Sequence, residues 1–372
     1  MSEVLSGQIV LTDRILSGTI GFNTHIETIT ACEAPPDRFI LPGFIDGHVH
    51  GGDDADTMDG VEAIHTLAYF HMRHGTTTIL PTTITRPWHD VLYALRAVAE
   101  VMAAPSENGP RIHGAHLEGP FVSPHKLGAQ PPFTIAPEPE KLDDILAIGC
   151  VRVVTLAPEI PHADTAMVRF AEAGVRVSIG HTVANYETTH AALCRICAAR
   201  GGVAGGTHLF NAMSPIEGRN PGPLTALMCH DESYAEMIFD THHVHPASFH
   251  LASRMMPDRL LFVTDAMRGA GLPDGPSSLG GQDVLISDGV VRLPSGSLAG
   301  SVLTLDQALR NAVTHGASLP EASHLVSSNA ARYLGLTDRG SLETGKLADF
   351  VVLDADLCVR EVWVGGRKTH TS

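Results

Sequence analysis

The sequence predicts an α/β fold: a (β/α)8 TIM-like barrel joined to a small β-sandwich domain that is built from both chain termini. Eight short apolar segments rich in β-branched residues alternate with helical stretches through the middle of the 372-residue chain, which predicts parallel strands. Short β-rich runs separated by turn residues occupy both ends. Histidines or acidic residues stand where several predicted strands end, and this predicts a site at one end of the barrel.

The small β domain is predicted from runs near both termini, such as Gln8-Ile-Val-Leu-Thr and Asp349-Phe-Val-Val-Leu. Asp288-Gly289 lies between two alternating apolar runs and is typical of a tight hairpin, which predicts an inserted β excursion. The predicted bounds are 1–43, 275–298 and 340–372 for the small β domain, and 44–274 with 299–339 for the barrel.

Eight segments are expected to supply the barrel strands. They begin at Phe44, Thr77, Ile112, Val151, Val175, Gly205, Ala235 and Leu260. Helix-like stretches, for example 94–103 and 164–173, separate most of them. In such a barrel the loops after the carboxyl ends of the strands form the site, so the residues at the strand ends are the functional candidates.

Composition excludes several classes of partner. Hydrophobic residues make up 44% of the chain, enough for a sizeable core, and the formal net charge of −16 argues against nucleic acid or an anionic membrane. No apolar run is long enough to span a bilayer, and the N-terminal residues do not form a signal peptide. Cys194 and Cys197 lie in a helical stretch without a second such pair, which favours buried thiols and a reducing, cytoplasmic location.

The strand-end residues are all of metal-ligand or acid–base types. In chain order they are His48, His50, Glu118, His181, His208, His243 and Asp265. His48 and His50 should face the same side, because alternate side chains of a strand do so. Singly, each has a simpler interpretation: Glu118 as a loop carboxylate, or His181 as a helix cap. Their recurrence at successive strand ends favours a shared site.

Glu118, His181 and His208 supply one carboxylate and two imidazoles, which would leave a tetrahedral metal one open position. This is typical of a catalytic zinc site, at which a water molecule becomes acidic and a carbonyl is polarised. Asp265 would accept the proton of that water and return it to the leaving group. His243 would stabilise the developing oxyanion.

Several longer segments resemble N-acetylglucosamine-6-phosphate deacetylases of the amidohydrolase superfamily, in order and with matching spacing from about residue 40 onward. The most specific segments are His116-Leu-Glu-Gly-Pro-Phe, Thr207-His-Leu-Phe-Asn-Ala-Met, Gly218-Arg-Asn-Pro-Gly, Val263-Thr-Asp-Ala-Met and Ser297-Leu-Ala-Gly-Ser. Leu41-Pro-Gly-Phe-Ile-Asp-Gly-His-Val-His and Gly345-Lys-Leu-Ala-Asp identify only the superfamily.

The resemblance implies that Glu118, His181 and His208 are the principal metal ligands, that Asp265 is the acid–base group and that His243 contacts the acetyl carbonyl. It also implies a phosphate site at Asn211 and Ala212, completed by Arg219 from the other subunit of a homodimer. A guanidinium can donate two parallel hydrogen bonds to phosphate oxygens. From the residues alone, however, Arg219 would be interpreted as a solvated loop charge. His48 and His50 permit a second metal. Zn²⁺ is the first expectation, with Fe²⁺, Mn²⁺ and Co²⁺ as alternatives.

Two positions depart from the family pattern. Gln130 stands where the family usually has histidine, so it can hydrogen-bond to a substrate but cannot carry charge. Thr241 stands where the family prefers glycine, which could alter the loop around His243.

The resulting hypothesis is a metal-dependent hydrolase that removes acetate from N-acetyl-D-glucosamine 6-phosphate. A second interpretation keeps the barrel and metal but changes the substrate to N-acetylgalactosamine 6-phosphate, an unphosphorylated acetylated sugar or a cyclic amide. A third is a catalytically silent sugar-phosphate sensor. The intact Asp265 argues against a sensor, because a binding protein does not need the acid–base group.

Overall fold

The computed structural model describes residues 2–106 and 108–372. The strands in chain order are β1 (Glu3–Val10), β2 (Ile15–Phe22), β3 (Ile26–Ala31), β4 (Phe39–Pro42), β5 (Phe44–Val49), β6 (Gly51–Gly52), β7 (Ala55–Asp56), β8 (Thr76–Pro81), β9 (Arg111–Ile112), β10 (Ala115–Glu118), β11 (Val151–Leu156), β12 (Arg176–Ile179), β13 (Ala204–Gly206), β14 (Ala235–Met237), β15 (Leu260–Phe262), β16 (Gly275–Leu279), β17 (Gln282–Ser287), β18 (Val290–Arg292), β19 (Phe350–Leu353), β20 (Val359–Val364) and β21 (Arg367–Thr371).

Helices follow most of the central strands. They are α1 (Val61–Arg73), α2 (Trp88–Ala103), α3 (Pro139–Ile148), α4 (Ala163–Glu172), α5 (Tyr186–Ala198), α6 (Pro223–Cys229), α7 (Pro246–Met255), α8 (Leu305–Thr314), α9 (Leu319–Ser323) and α10 (Asn329–Leu334), with a 3-10 turn at Thr57–Asp59 and a π-helical turn at His324–Ser328. In the part of the chain that the structure describes, no helix is both long and apolar enough to cross a bilayer.

The predicted barrel is confirmed. Its eight strands are β5, β8, β10, β11, β12, β13, β14 and β15. Neighbouring strands pair in parallel, for example Val154 of β11 with Val177 of β12. The ring closes between the last and first strands, where the Asp265 amide donates to the His48 carbonyl at 2.8 Å and the Thr264 hydroxyl donates to the Asp46 carboxylate at 2.7 Å.

The barrel strands are buried on both faces. Every residue of β8 is buried, as expected for a parallel strand covered by helices on one face and by the barrel interior on the other. The outer helices turn one apolar face inward; in α2 this face contains Val91, Leu95 and Val98, spaced four and three residues apart. This core fixes the positions of the strand ends.

The terminal segments form one mixed seven-stranded sheet in the order β21-β20-β19-β4-β1-β2-β3. The sheet curls over itself, because the ring of Phe22 on β2 packs edge-on against Phe350 on β19 and Trp363 on β20, with centroids 4.9 and 5.3 Å away. The two halves therefore enclose a small core of their own, as a sandwich does. Both chain ends contribute to it, in agreement with the predicted fold class.

The excursion 275–298 differs from the predicted grouping with the small β domain. Its strands β16, β17 and β18 pair antiparallel with one another in a separate sheet. The apolar side chains Leu279 and Ile286 pack with Ile84 and Met267 of the barrel loops. The excursion is thus a separate three-stranded sheet whose apolar face is buried against the barrel loops. Its predicted assignment to the small β domain is therefore corrected.

Candidate metal centre

One carboxylate and four imidazoles converge at the carboxyl ends of the barrel strands. Oε1 of Glu118 lies 3.2 Å from His181 Nε2 and 3.1 Å from His208 Nε2. The two histidine nitrogens are 3.0 Å apart. The structure therefore brings together the three residues that the sequence singled out from three different strand ends.

The first-strand histidines join the same cluster on its other side. His50 Nε2 lies 3.2 Å from Oε2 of Glu118, and His48 Nε2 lies 3.5 Å from Oε1. Asp265 Oδ1 is 3.1 Å from His50 Nε2 and 3.4 Å from His48 Nε2. Glu118 thus stands between two histidine pairs, and its two oxygens face both.

Hydrogen bonds on the opposite ring nitrogens set the tautomers of three of these histidines. Nδ1 of His48 faces the Glu236 carboxylate at 2.9 Å, while Nδ1 of His50 and His181 face the Thr82 and Lys126 carbonyls at 3.2 and 3.1 Å. These oxygens can only accept, so each Nδ1 carries a proton, and each ring in its neutral form presents a lone pair at Nε2.

The donor set fits a divalent cation. In the neutral rings, the Nε2 lone pairs of His48 and His50 face each other at 3.3 Å and repel unless a positive charge lies between them. The side chains of Glu118, His48 and His208 are at most 5% exposed, so water does not screen that repulsion. The groups His48–His50–Glu118 and Glu118–His181–His208 each gather three ligand atoms within 4.8 Å of one another. Imidazole and carboxylate ligands suit Zn²⁺ and its neighbours.

The backbone is left-handed at three of the strand-end residues. The φ angles are 47° at His181, 31° at His208 and 48° at Asp265. Non-glycine residues rarely adopt such angles, and each costs on the order of 1–3 kcal/mol unless the surroundings enforce it. The chain reverses direction sharply here, and this turns the side chains over the barrel axis.

Asp265 is ionised at neutral pH, as a proton acceptor must be. Burial alone would raise its pKa, but the positive charge of His48 in its protonated form and a hydrogen bond from Nε2–H of protonated His50 lower the pKa to about 2. Glu118 is ionised for the same reason. Burial would raise its pKa, whereas His48, His181 and His208 bring that pKa well below the usual value. Both groups are therefore carboxylates at neutral pH.

His243 lies at the rim of the same cavity, oriented by a neighbour that the sequence did not single out as a site residue. Its Nδ1 is 2.7 Å from Oδ2 of Asp240, whose other oxygen accepts the amide of His243 at 2.7 Å. Thr241, where the family prefers glycine, has φ 70°. A β-branched residue is strained at this angle. The backbone at Thr241 thus has a conformation typical of glycine, although the residue is threonine.

A cavity of about 230 Å³ opens above the cluster. Its lining includes the predicted substrate residues Asn211, Ala212 and Gln130, together with the apolar Ile84, Ile238, Leu279 and Leu298. Arg219 lies elsewhere, in the exposed segment 215–220, and does not line the cavity of its own chain.

Glu236 is the main site residue that the sequence analysis missed. It is 1% exposed, bonds to His48 Nδ1 and also lies 3.4 Å from the amide of His208. A signal was present: Glu236 is the only charged residue of Ala-Glu-Met-Ile-Phe (235–239), an otherwise apolar strand that the barrel buries. A buried carboxylate in such a strand needs a partner, and here the partner is His48, a candidate metal ligand.

Comparison with known proteins gives consistent matches. The profile of the amidohydrolase family matches residues 39–369. The chain is 37% identical to an N-acetylgalactosamine-6-phosphate deacetylase of Escherichia coli O157:H7, covering 99% of both chains. It is 38% identical to an N-acetylglucosamine-6-phosphate deacetylase of Lysinibacillus sphaericus, covering 89% of this chain and 85% of the other.

Solved structures agree in fold. An N-acetyl-D-glucosamine-6-phosphate deacetylase variant from Mycobacterium smegmatis, in complex with N-acetyl-D-glucosamine 6-phosphate, superposes with a TM-score of 0.92 at 33% identity over the whole of both chains. The corresponding enzyme from Thermotoga maritima gives a TM-score of 0.91 at 30% identity, also over both whole chains.

Proposed function

The chain belongs to the amidohydrolase family, and from this premise we propose that it removes acetate from an N-acetylhexosamine 6-phosphate, with N-acetyl-D-glucosamine 6-phosphate as the leading substrate. The single observation that carries the proposal is the convergence of Glu118, His181 and His208 beside Asp265 at the floor of the cavity. The relatives that act on such sugar phosphates match nearly the whole chain.

We propose two divalent cations, Zn²⁺ first, held on either side of Glu118. Glu118, His181 and His208 would hold one, and His48, His50 and Glu118 the other. When bound, a cation there would make water a stronger nucleophile and polarise the acetyl carbonyl. The family is metal-dependent, whereas the number and identity of the ions belong to this proposal.

The protein groups would supply the proton transfers. Asp265, a carboxylate at neutral pH, accepts the proton of the attacking water and then delivers it to the departing amine nitrogen. In its doubly protonated form His243 donates from Nε2–H to the acetyl oxygen, while its Nδ1–H donates to the Asp240 carboxylate. The apolar wall of Ile238, Leu279 and Leu298 suits the acetyl methyl group and keeps water away from it.

The loop after His208 is suited to a phosphate. Its residues His208, Phe210 and Ala212 all have positive φ, 31°, 78° and 49°, and alternate with residues of negative φ. Such alternation can turn backbone N–H groups toward an anion, and here those of Phe210 and Ala212 would be the donors, because those of Leu209 and Asn211 donate to the Glu236 and His208 carbonyls. Asn211 and Ala212 line the cavity at this loop. Arg219 would complete the phosphate site of the partner subunit in a homodimer, since it is exposed and outside its own cavity.

A second candidate substrate is the C4 epimer, N-acetyl-D-galactosamine 6-phosphate. The relative named for that substrate matches 99% of both chains, while the glucosamine-type relative matches 85% of its own length. Both epimers would present the same amide and phosphate to the groups described above, so the chemistry is shared and only the C4 contact differs.

The test measures acetate release from both epimers by metal-loaded protein, with and without a chelator. We expect turnover of at least one epimer, its loss with chelator and its recovery on adding Zn²⁺. Binding of both sugar phosphates without acetate release would contradict the hydrolase and support the sensor. Turnover that survives complete metal removal would contradict the metal-dependent mechanism.

Arg219→Ala tests the phosphate site across the subunit interface. We expect KM for the phosphorylated sugar to rise by about tenfold or more, since a charge-assisted bond to phosphate is worth roughly 1.5–3 kcal/mol. Turnover of the unphosphorylated sugar should not change. Arg254→Ala, at another exposed arginine, is the control. An unchanged KM, or a monomer in sedimentation analysis, would remove Arg219 from the site.

A further inference from the structure

The loop segment 123–131, which follows the Glu118 strand, touches two metal ligands through its own groups. Gln130 Nε2 donates to Oε2 of Glu118 at 2.6 Å. The carbonyl of Lys126 accepts from Nδ1 of His181 at 3.1 Å. Gly128 lies beside the His181 ring with φ 60°, an angle that suits glycine and lets the loop pass close to the ring.

The orientation of the Gln130 amide is determined by its partners. Its Oε1 accepts the backbone N–H of Thr85 at 2.7 Å, and that group can only donate. Its Nε2 faces a carboxylate that can only accept. A flipped amide would place donor against donor and acceptor against acceptor, so the arrangement has one satisfactory state.

Gln130 is also buried, at 6% exposure, and both ends of its amide are engaged inside the protein. Oε2 of Glu118 receives Gln130 on one side and faces His50 Nε2, 3.2 Å away, on the other. Gln130 therefore fixes the rotation of the carboxylate that both ligand groups share.

The β excursion holds this loop from outside. Nε2 of Gln282 on β17 donates to the carbonyl of Ala129 at 2.7 Å. Arg86, one residue beyond Thr85, donates to the carbonyl of Gly280 at 2.9 Å. A continuous chain of contacts thus runs from the excursion through Ala129 and Gln130 to Glu118.

We propose that the segment 123–131 is the orienting layer of the metal centre, with Gln130 as a positioning residue for Glu118 and Gln282 as the contact that holds the segment in place. This proposal rests on the proposed function, because it needs a metal at Glu118. The excursion, whose Leu279 and Leu298 line the cavity, would then also support the metal centre. Gln130, which departs from the family pattern, would orient Glu118.

Loss of the Gln130 contact and loss of a substrate contact should change metal affinity, kcat and KM in different ways. Loss of an orienting contact lets Glu118 rotate, which weakens the metal and lowers kcat, because outer hydrogen bonds typically account for about 10–100-fold in metal affinity or activity. KM should change little, since no substrate contact is lost. Loss of a substrate contact would do the reverse, raising KM while the metal stays bound.

The experiment compares metal-loaded wild type with Gln130→Met, which keeps the volume but loses both hydrogen bonds. Retained metal is measured by elemental analysis after equilibration with increasing EDTA, and kcat and KM are measured with N-acetylglucosamine 6-phosphate. We expect Gln130→Met to lose metal at about 10–100-fold lower EDTA and kcat to fall by a similar factor, with KM within about threefold of wild type. Gln307→Met, the same change at an exposed helical glutamine, should match wild type.

Gln282→Met provides the second measurement and carries the test if Gln130→Met does not fold. It releases only the Ala129 carbonyl, so we expect the same direction with a smaller loss of metal retention, on the order of twofold to fivefold, as for one neutral hydrogen bond. Unchanged metal retention in both variants, or a tenfold rise in KM alone in Gln130→Met, would overturn the proposal. A wild-type protein that binds no metal would refute the proposed function itself, before any variant is compared.

Discussion

The candidate metal centre and the core of the terminal sheet are both buried, yet their side chains have opposite polarity. Around Glu118 the interior contains charged and polar side chains, three left-handed strand ends and closely spaced imidazoles. In the curled sheet, Phe22, Phe350 and Trp363 meet edge to face with no charge among them. The first region consists of groups that prefer water, and the second of groups that avoid it.

This difference indicates where stability arises and where it is reduced. Burying ionised groups and holding left-handed backbone both cost free energy, which folding must recover elsewhere. Aromatic packing recovers it, because each buried ring removes a large apolar area from water. Substitutions in the two regions should therefore separate turnover from stability.

The largest effect is expected for Asp265→Asn. An amide cannot take the proton of the attacking water, so kcat should fall by about 10³-fold, within the range typical of lost acid–base catalysis. The free energy of unfolding should change comparatively little, because removing the buried charge relieves its desolvation cost while the loss of its pairing with His48 and His50 acts in the opposite direction. Steady-state kinetics and denaturant unfolding measure the two quantities. A kcat within tenfold of wild type would exclude Asp265 as the acid–base group.

The opposite pattern is expected for Phe22→Ala. Phe22 is fully buried, so the cavity left by its ring should lower the free energy of unfolding by about 3–5 kcal/mol. At a temperature where the variant stays folded, kcat should equal that of wild type. Val4→Ala, at an exposed position of the same sheet, should change stability by less than about 0.5 kcal/mol. A parallel loss of kcat would show that the two regions are coupled.

Glu236→Leu should sharpen the comparison, since it changes an outer group of the metal centre without removing a ligand. His48 Nδ1 would lose its acceptor, and metal affinity should fall by about 10–100-fold. Glu236→Gln retains an acceptor oxygen, so its loss should be smaller. Competition with a chelator measures both variants. Equal affinity in wild type and Glu236→Leu would mean that the carboxylate does not orient His48.

The barrel and the convergence of the strand-end side chains were predictable because their signals are local and repeated. A parallel strand covered on both faces reads as a short apolar run, and a ligand at its end reads as a polar residue just after the run, as with Glu118 or His181. The excursion was grouped wrongly because alternating apolar runs such as 282–287 show that a sheet forms but not which surface covers it.

The contacts that orient the ligands were less predictable. The carbonyls of Thr82 and Lys126, which hold His50 and His181, belong to the backbone and leave no mark in the sequence. Glu236 did leave one, as a lone charge in a buried strand. The hydrogen bonds of Gln130 depend on how a loop folds back over its own strand, which spacing alone does not determine.

The smallest expected effect concerns Thr241, whose strained backbone lies in the loop that carries His243. Glycine adopts φ 70° freely, whereas threonine does not, so Thr241→Gly should raise the free energy of unfolding by about 1 kcal/mol after the entropy cost of glycine is subtracted. Thr241→Ala keeps a Cβ and should therefore gain much less. The Asp240–His243 bond does not involve the Thr241 side chain, so kcat should stay within about twofold of wild type in both variants. A destabilised glycine variant would show that the threonine side chain stabilises the loop by more than its backbone strain costs, and the metal-centre region would then contain packing of the kind seen in the terminal sheet.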